Sequence, residues 1–414
     1  MAELRCGAVA ALLFTAVRLF AQNVYVYVGD ITPESAIIAW GNTSGTHGRN
    51  TIGRDSTSMG PAAVRIDNRT LSTTRNWIDV RGLKPDTEYP YEVFVNDRHV
   101  GGGEVRTYPL RASRMTFFVI GDFGTGDSLQ NRVAQAMWTE YAKRAATDNP
   151  VRFIITMGDN IYAYVNVSAL IVASGDQDHD WDAKFFGPYK ELLRRIPFHP
   201  TLGNHDGNAS ESRGDLPVYL DNFFFPENRP ARYYAFSFGG LADFFALDST
   251  DNTESGPPAA QYGRNTAQWP WLQEALGKSL APWKIPYFHH PPFTAGPAHG
   301  PSYAALRHWM DLFERTGVKT VFTGHEHNLQ ISEDSAATGH VRYIVSGAGG
   351  QLRAGDVTKK MTAAHIEGWA AQRHFLVVEI EGRTMRIAPV SYEPFSVWNA
   401  NKQAIPMPFV ISLP

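Results

Sequence analysis

The sequence predicts an all-β sandwich followed by an α/β layered domain, and three observations lead there. Between Val24 and Pro109, short alternating apolar stretches are separated by Gly, Asn, Asp and Pro turns, the pattern of a sandwich of short strands. After Tyr108, apolar strands alternate with amphipathic segments of helical spacing, which indicates layered α/β architecture. The 414 residues are 43% hydrophobic and 19% charged, ordinary globular usage, so each part can bury a core and neither a disordered chain nor a coiled coil fits.

In the first part the strands read as Val24 to Val28 (VYVYV), Ser35 to Trp40 (SAIIAW), Trp77 to Val80 and Tyr89 to Val95. Trp40 ends an early strand and RGLKPDTEYPY (Arg81 to Tyr91) leads into a later one. Together they resemble the fibronectin type III module, which implies a positioning scaffold over residues 22–110. In the second part, residues 111–414, MTFFVIGD (Met115 to Asp122) and VRFIITMGD (Val151 to Asp159) are buried strands ending in Gly-Asp. Helical spacing is expected over Gln130 to Ala145, Trp181 to Arg195 and Ser302 to Arg315. Further strands are expected at Asp243 to Leu247, Ile285 to Phe288, Thr320 to Thr323, Arg342 to Ser346 and Phe375 to Glu381, with Ser249 to Asn265 as a surface loop.

Residues 1–21 carry an export signature: Arg5, an apolar run from Ala8 to Phe20 and the small residue Ala21, which predicts a secreted or periplasmic protein. No other segment approaches the ~20 apolar residues of a spanning helix. Cys6, the single cysteine, lies inside that signal, so the mature chain has no thiol for a disulfide, a metal or a nucleophile. A formal charge of −3 lacks the basic excess of a nucleic-acid binder. There is no Gly-x-Ser-x-Gly elbow for a serine hydrolase, and Ser346 to Gly350 (SGAGG) is not followed by the Lys of a Walker loop. That glycine run is expected to pass tightly beside the site.

The informative pattern is that strand after strand ends in a potential metal ligand. GDFG supplies Asp122, GDNIY supplies Asp159 and Tyr162, GNHD supplies Asn204 and His205, FHHPPF supplies His289 and His290, and GHEH supplies His325 and His327. In open α/β sheets the ligand site lies beyond the carboxyl ends of the strands, so these groups are expected to converge on one crevice.

This ordered set resembles the calcineurin-like metallophosphoesterase superfamily, and within it the purple acid phosphatases. The first motif is Gly-Asp-x-Gly rather than Asp-x-His, and the second ends in Tyr rather than Asp. The resemblance implies a four-layer α/β/β/α sandwich and a binuclear centre. Asp122, Asp159, Tyr162 and His327 would hold one metal, Asp159, Asn204, His289 and His325 the other, with Asp159 bridging. It further implies Fe(III) paired with Fe(II), Zn(II) or Mn(II), and hydrolysis of a small-molecule phosphomonoester by a metal-bound hydroxide. A phosphodiesterase or nucleotide hydrolase using the same centre is the alternative. The ligand chemistry agrees, because three anionic oxygens with one imidazole suit a hard ion and the second set is mostly neutral.

His205 and His299 match the family's substrate-side histidines, and His299 is expected to act as the acid toward the leaving group. His290 stays open between an outer-shell and a surface role; metal-bound imidazoles need a partner for their other nitrogen, and the Asp206 carboxylate is able to serve that orienting role. Pro286 stands where the family usually has Val, and Phe293 where it has Tyr, which puts the substrate-side wall in question. A binding module built on a degraded enzyme would be missing ligands, whereas all seven positions are filled. Oligomeric state is not legible.

Overall fold

The computed structural model describes residues 24–43, 52–162, 181–206, 216–252 and 259–414; the export signature and Cys6 lie outside the described residues. Strands β1 (Tyr25–Ile31), β2 (Ser35–Gly41), β3 (Ala62–Ile66), β4 (Arg69–Thr73), β5 (Trp77–Arg81), β6 (Glu88–Val95) and β7 (Arg98–Arg106) form the first part. They make two antiparallel sheets, ordered β1-β2-β5 and β4-β3-β6-β7. In β6 burial alternates along EYPYEVFV, so Tyr89, Tyr91, Val93 and Val95 point inward and the residues between them face outward.

β1 departs from that alternation, since every one of its residues is buried. Its second face is covered by the later part of the chain: Tyr25 stacks on Phe186 at 5.6 Å and Tyr27 packs against Phe186 and Phe224 at 5.4 and 5.9 Å. Gly29 follows from this contact, because a Cβ there would lie 2.7 Å from Phe224. The Tyr91 hydroxyl donates to Arg194 O at 2.9 Å, and Arg152 donates to Thr107 O at 2.6 Å. One buried hydrophobic cluster runs through both parts, so the sandwich is fused to its neighbour rather than strung on a linker.

The second part contains β8 (Arg114–Ile120), β9 (Val151–Thr156), β10 (Phe198–His199), β11 (Tyr234–Phe238), β12 (Ala242–Ala246), β13 (Trp283–Tyr287), β14 (Thr320–Thr323), β15 (Leu329–Ser332) and β16 (Arg342–Ser346). It continues with β17 (Ile366–Ala370), β18 (Phe375–Glu381), β19 (Thr384–Val390), β20 (Val397–Trp398), β21 (Ala404–Ile405) and β22 (Phe409–Ser412). The sheets run β10-β9-β8-β18-β19-β22 and β11-β12-β13-β14-β16-β15-β17-β20-β21. They face each other through aromatic rings: Phe117 meets Phe244 at 5.2 Å and Phe322 at 6.2 Å, and Phe153 meets Phe244 at 5.1 Å.

The next residue on β12, Phe245, points the other way and joins Leu272 and Trp309 of the helices Gln268–Lys278 and Tyr303–Arg315. On the first sheet's outer side lie the helices Ser128–Ala145 and Gly187–Leu193. The result is the four-layer α/β/β/α sandwich. The expected helix over 181–195 is entered through one π turn, Asp182–Phe186. Pro188 has no N–H to give to Lys184 O, which accepts from Gln130 Nε2 at 2.6 Å instead.

Candidate metal centre

Parallel pairing sets where the site lies. β8, β9 and β10 run parallel in one sheet, and β12, β13, β14 and β16 in the other, so the segments leaving their carboxyl ends meet across the top of both. Three candidate ligands there have left-handed backbones: Asp122 at φ 55°, Asp159 at 50° and His325 at 69°. Non-glycine residues hold such conformations at a cost that clusters at functional sites. The glycines between them permit the crowding. A Cβ at Gly203 would lie 2.1 Å from Asp159 Oδ1, and one at Gly324 would lie 2.5 Å from Asp122 Oδ2. The glycine run after β16 passes just as closely, since a Cβ at Gly347 would lie 2.9 Å from Asp122 Oδ2.

One pole of the cluster is anionic. Asp122, Asp159 and Tyr162 are buried, and the Tyr162 hydroxyl lies 3.1 Å from Asp122 Oδ1, 2.9 Å from Asp159 Oδ2 and 3.3 Å from His327 Nε2. Burial together with the two carboxylates pushes the Tyr162 phenol well above its ordinary pKa. The other pole is imidazole. His289 Nε2 lies 3.0 Å from Asn204 Oδ1, 3.1 Å from His325 Nδ1 and 3.4 Å from Asp159 Oδ2, while its Nδ1 faces Met157 O at 2.7 Å. Burial lowers His289, but Asp159, Asp122 and Met157 O together outweigh it and raise the ring to about 9. His325 is driven down by burial and then by His289, and His290 is driven down to about 3 for the same reasons.

This donor set fits two cations. Among the described residues, Asp122, Asp159 and His327 bring ligand atoms within 4.8 Å of one another, as do His289, His290 and His325. Asp159 Oδ2 lies between the poles, near both Tyr162 and His289. The chain therefore carries a binuclear metal site, with ligand oxygens gathered on one side and imidazoles on the other.

All of the candidate site residues come together here. The His205 ring lies 4.6 Å from that of Tyr162, and its backbone N–H donates to Asp159 Oδ1 at 2.9 Å. The His299 ring lies tilted against that of His325 with ring centres 3.9 Å apart, and burial followed by Arg353 lowers it from its ordinary value. His290 is held by Ser249, whose Oγ lies 2.9 Å from its Nδ1 and accepts its backbone N–H at 3.0 Å.

Two expectations are corrected. Asp206 does not orient a ligand imidazole; it accepts from Asn160 N, Asn160 Nδ2 and Gly203 N, each at 2.8 Å, and so ties the Asp159 segment to the Asn204 segment. The segment after Ser249 is not all surface loop, for Ser249, Thr250 and Asn252 are buried and Asn252 Nδ2 donates to Gly203 O at 3.0 Å. Two further residues escaped the sequence reading. Glu326, buried between the ligand histidines, accepts from the His299 backbone N–H at 2.8 Å. Arg353 Nε donates to His327 Nδ1 at 3.1 Å. The acidic residue inside GHEH was the available signal for the first; Arg353 lies in a loop without any motif.

Residues 115–329 match the calcineurin-like phosphoesterase family. Tartrate-resistant acid phosphatase type 5 of Rattus norvegicus is 26% identical over 261 residues, which cover 58% of this chain and 73% of that protein. Purple acid phosphatase 3 of Arabidopsis thaliana is 26% identical over 298 residues, 68% of this chain and 75% of that protein. The solved structure of PhoD superposes with a TM-score of 0.66 at 15% identity, covering 94% of this chain and 93% of that one, and so shares the fold. With half of the chain matched and the candidate ligand cluster at the strand ends, this protein belongs to the calcineurin-like phosphoesterase family, is a metal-dependent phosphoester hydrolase and has purple acid phosphatases among its relatives.

Proposed function

We propose that the protein hydrolyses phosphomonoesters, with Asp122, Asp159, Tyr162 and His327 holding one metal and Asp159, Asn204, His289 and His325 the other. The observation that carries this reading is the position of Asp159 Oδ2, 2.9 Å from the Tyr162 hydroxyl and 3.4 Å from His289 Nε2, where a single carboxylate serves both poles. When bound, such a metal pair acidifies water into a nucleophile and neutralises phosphoryl charge. The chain's own residues do the rest. Asp206 fixes the spacing between the Asp159 and Asn204 segments through its three accepted hydrogen bonds. Met157 O holds the His289 ring so that Nε2 faces the crevice. Glu326 pins the His299 backbone, and His299 gives its proton to the leaving-group oxygen while His205 receives a phosphoryl oxygen.

The two relatives reported above are named acid phosphatases, which supports the monoester reading. Ligand chemistry supports a hard ion at the oxygen-rich pole, and the family resemblance supports Fe(III) there beside Fe(II), Zn(II) or Mn(II) at the imidazole pole. We assign residues 1–21 to an export signal, residues 22–110 to a fibronectin III-like scaffold and residues 111–414 to catalysis, with the protein secreted or periplasmic. No helix among the described residues is long and apolar enough to cross a membrane.

The test is turnover of p-nitrophenyl phosphate against bis(p-nitrophenyl) phosphate from acid to mildly alkaline pH, with metal content recorded. Monoester preference with an acidic optimum is expected. Diester preference would replace this reading with a phosphodiesterase using the same centre.

A further inference from the structure

A cavity of about 860 Å³ adjoins the metal cluster behind the segment 292–301, and His299 belongs to both. The wall is aromatic and small, with Phe293, Tyr303, Ala295, Pro297 and Ala363 among its residues. Its basic residues are His299, Arg307, Lys359, Lys360 and His365, and none of its lining residues is Asp or Glu. In a chain of net charge −3, a wall with two lysines and an arginine and no acidic lining residue is a local reversal of sign. Two of the basic groups are already matched. Arg307 donates to Asp311 at 2.7 Å, and His365 lies 2.7 Å from Glu333. Lys359 and Lys360 have no ion pair or side-chain hydrogen bond among the described residues.

The walls are fixed in place. Gln330 accepts from Ala295 N at 2.8 Å and donates to Gly296 O at 3.1 Å, and Gln330 and Asn328 share a further hydrogen bond at 2.9 Å. The segment carrying the lysines is packed onto the same wall: a Cβ at Gly355 would lie 2.8 Å from Pro297, and one at Gly296 would lie 3.9 Å from Lys360 Nζ. Lys360 therefore stands over the residue three positions before His299. Small-molecule pockets run to roughly 300–1,000 Å³, far more than one phosphoryl group needs.

We propose that this cavity is the leaving-group subsite of the phosphomonoesterase described above, and that it selects esters whose organic leaving group carries an anionic group of its own. The phosphoryl group sits at the metal cluster, and the bond to the leaving oxygen lies beside His299. The organic portion passes over Phe293 and Tyr303, and its carboxylate or second phosphate reaches Lys359 and Lys360. The inference rests on the monoester reading for its orientation. The anion-binding cavity itself does not.

The test compares phenyl phosphate with its para-carboxymethyl derivative, in which a methylene insulates the added carboxylate from the phenolic oxygen. The native holoenzyme is expected to favour the carboxymethyl ester in kcat/KM. In Lys359→Gln/Lys360→Gln that preference should fall roughly five- to tenfold, the range for two exposed charge pairs, with phenyl phosphate changed by less than roughly twofold and the effect shrinking at high salt. Equal losses on both esters, or no loss on either, would overturn the subsite. Binding of the matching para-carboxymethylphenyl phosphonate is measured by calorimetry in both proteins. Absence of turnover with lysine-dependent binding would remove the monoester reading and leave the anion cavity standing, whereas binding that ignores the lysines would remove the cavity.

Discussion

Two buried aspartates in different parts of the molecule behave in opposite ways. Asp30 lies in the sandwich strand β1 at 8% exposure, and Asp159 lies in the crevice at 1%. Burial pushes Asp30 up to about 7, with the Ile31 N–H opposing and Asp79 adding to the rise. Burial presses on Asp159 in the same direction, yet His289 and His205 hold its carboxyl well below the usual range. Asp206 lies between the two cases: burial and the Asp159 charge raise it to about 8 despite its three N–H donors. A desolvated carboxyl is normally neutralised by taking up its proton. Where the fold surrounds it with imidazolium charge instead, the anion is kept, and the same carboxylate and ring nitrogens become metal donors when a cation replaces the ring protons.

The comparison breaks most sharply at Asp159. Asp159→Asn keeps the shape and removes the anion that both poles share. Both metals are expected to be lost, and turnover to fall by roughly 10³-fold or more, as when a main electrostatic element of catalysis is removed. Metal analysis and phosphomonoester kinetics read this directly. Full metal content with ordinary turnover would end the bridging assignment. A smaller effect is expected at Asp206. Asp206→Ala leaves three N–H donors without their acceptor and frees the Asp159 segment from the Asn204 segment. Metal affinity at the imidazole pole should drop by roughly 10–100-fold, the usual scale for outer-shell partners, with the metal titration as readout. Unchanged affinity would make Asp206 a packing residue only.

How far the sequence could reach follows the same physics. Asp122, Asp159, Asn204 and His325 were legible as candidate ligands because each directly follows a glycine beyond a strand, and His289 because it ends an apolar strand, local signals independent of tertiary structure, whereas Tyr162 and His327 were legible only through their motifs. β3, β4 and β7 were not separately resolved, because Arg, Ser, Thr and Gly dilute their alternation: β7 reads RHVGGGEVR and has no apolar repeat. β15 and β17 are short strands of a wide sheet whose burial depends on neighbours distant in sequence. Ser249 and Asn252 lie in a Gly, Pro and Asn-rich segment that composition alone assigns to solvent. They are buried because His290 and Gly203 O approach them. The role of Asp206 was misassigned because adjacency to Asn204 says nothing about which way a carboxylate turns.

The smallest expected change in activity, and a direct measure of the contrast, comes from Asp30→Asn. The folded carboxyl, raised to about 7, stays protonated to higher pH than the unfolded one near 3.8. The native state therefore binds the extra proton, and stability must fall as pH rises through that window. Stability from this group is fully present below the unfolded value, decreases across the interval and is exhausted once pH passes the folded value. At 1.36 kcal/mol per unit, the interval sets an upper limit of about 4 kcal/mol, with relaxation around β1 reducing it. Asparagine is neutral at every pH and retains an oxygen for the Ile31 N–H. The variant should therefore match the native protein in mild acid and melt higher above neutrality, with turnover within roughly twofold because Asp30 is outside the ligand cluster. Thermal melts across pH decide the matter. Parallel stability curves for the two proteins would show that Asp30 is already ionised in the fold, and burial would then no longer separate it from Asp159.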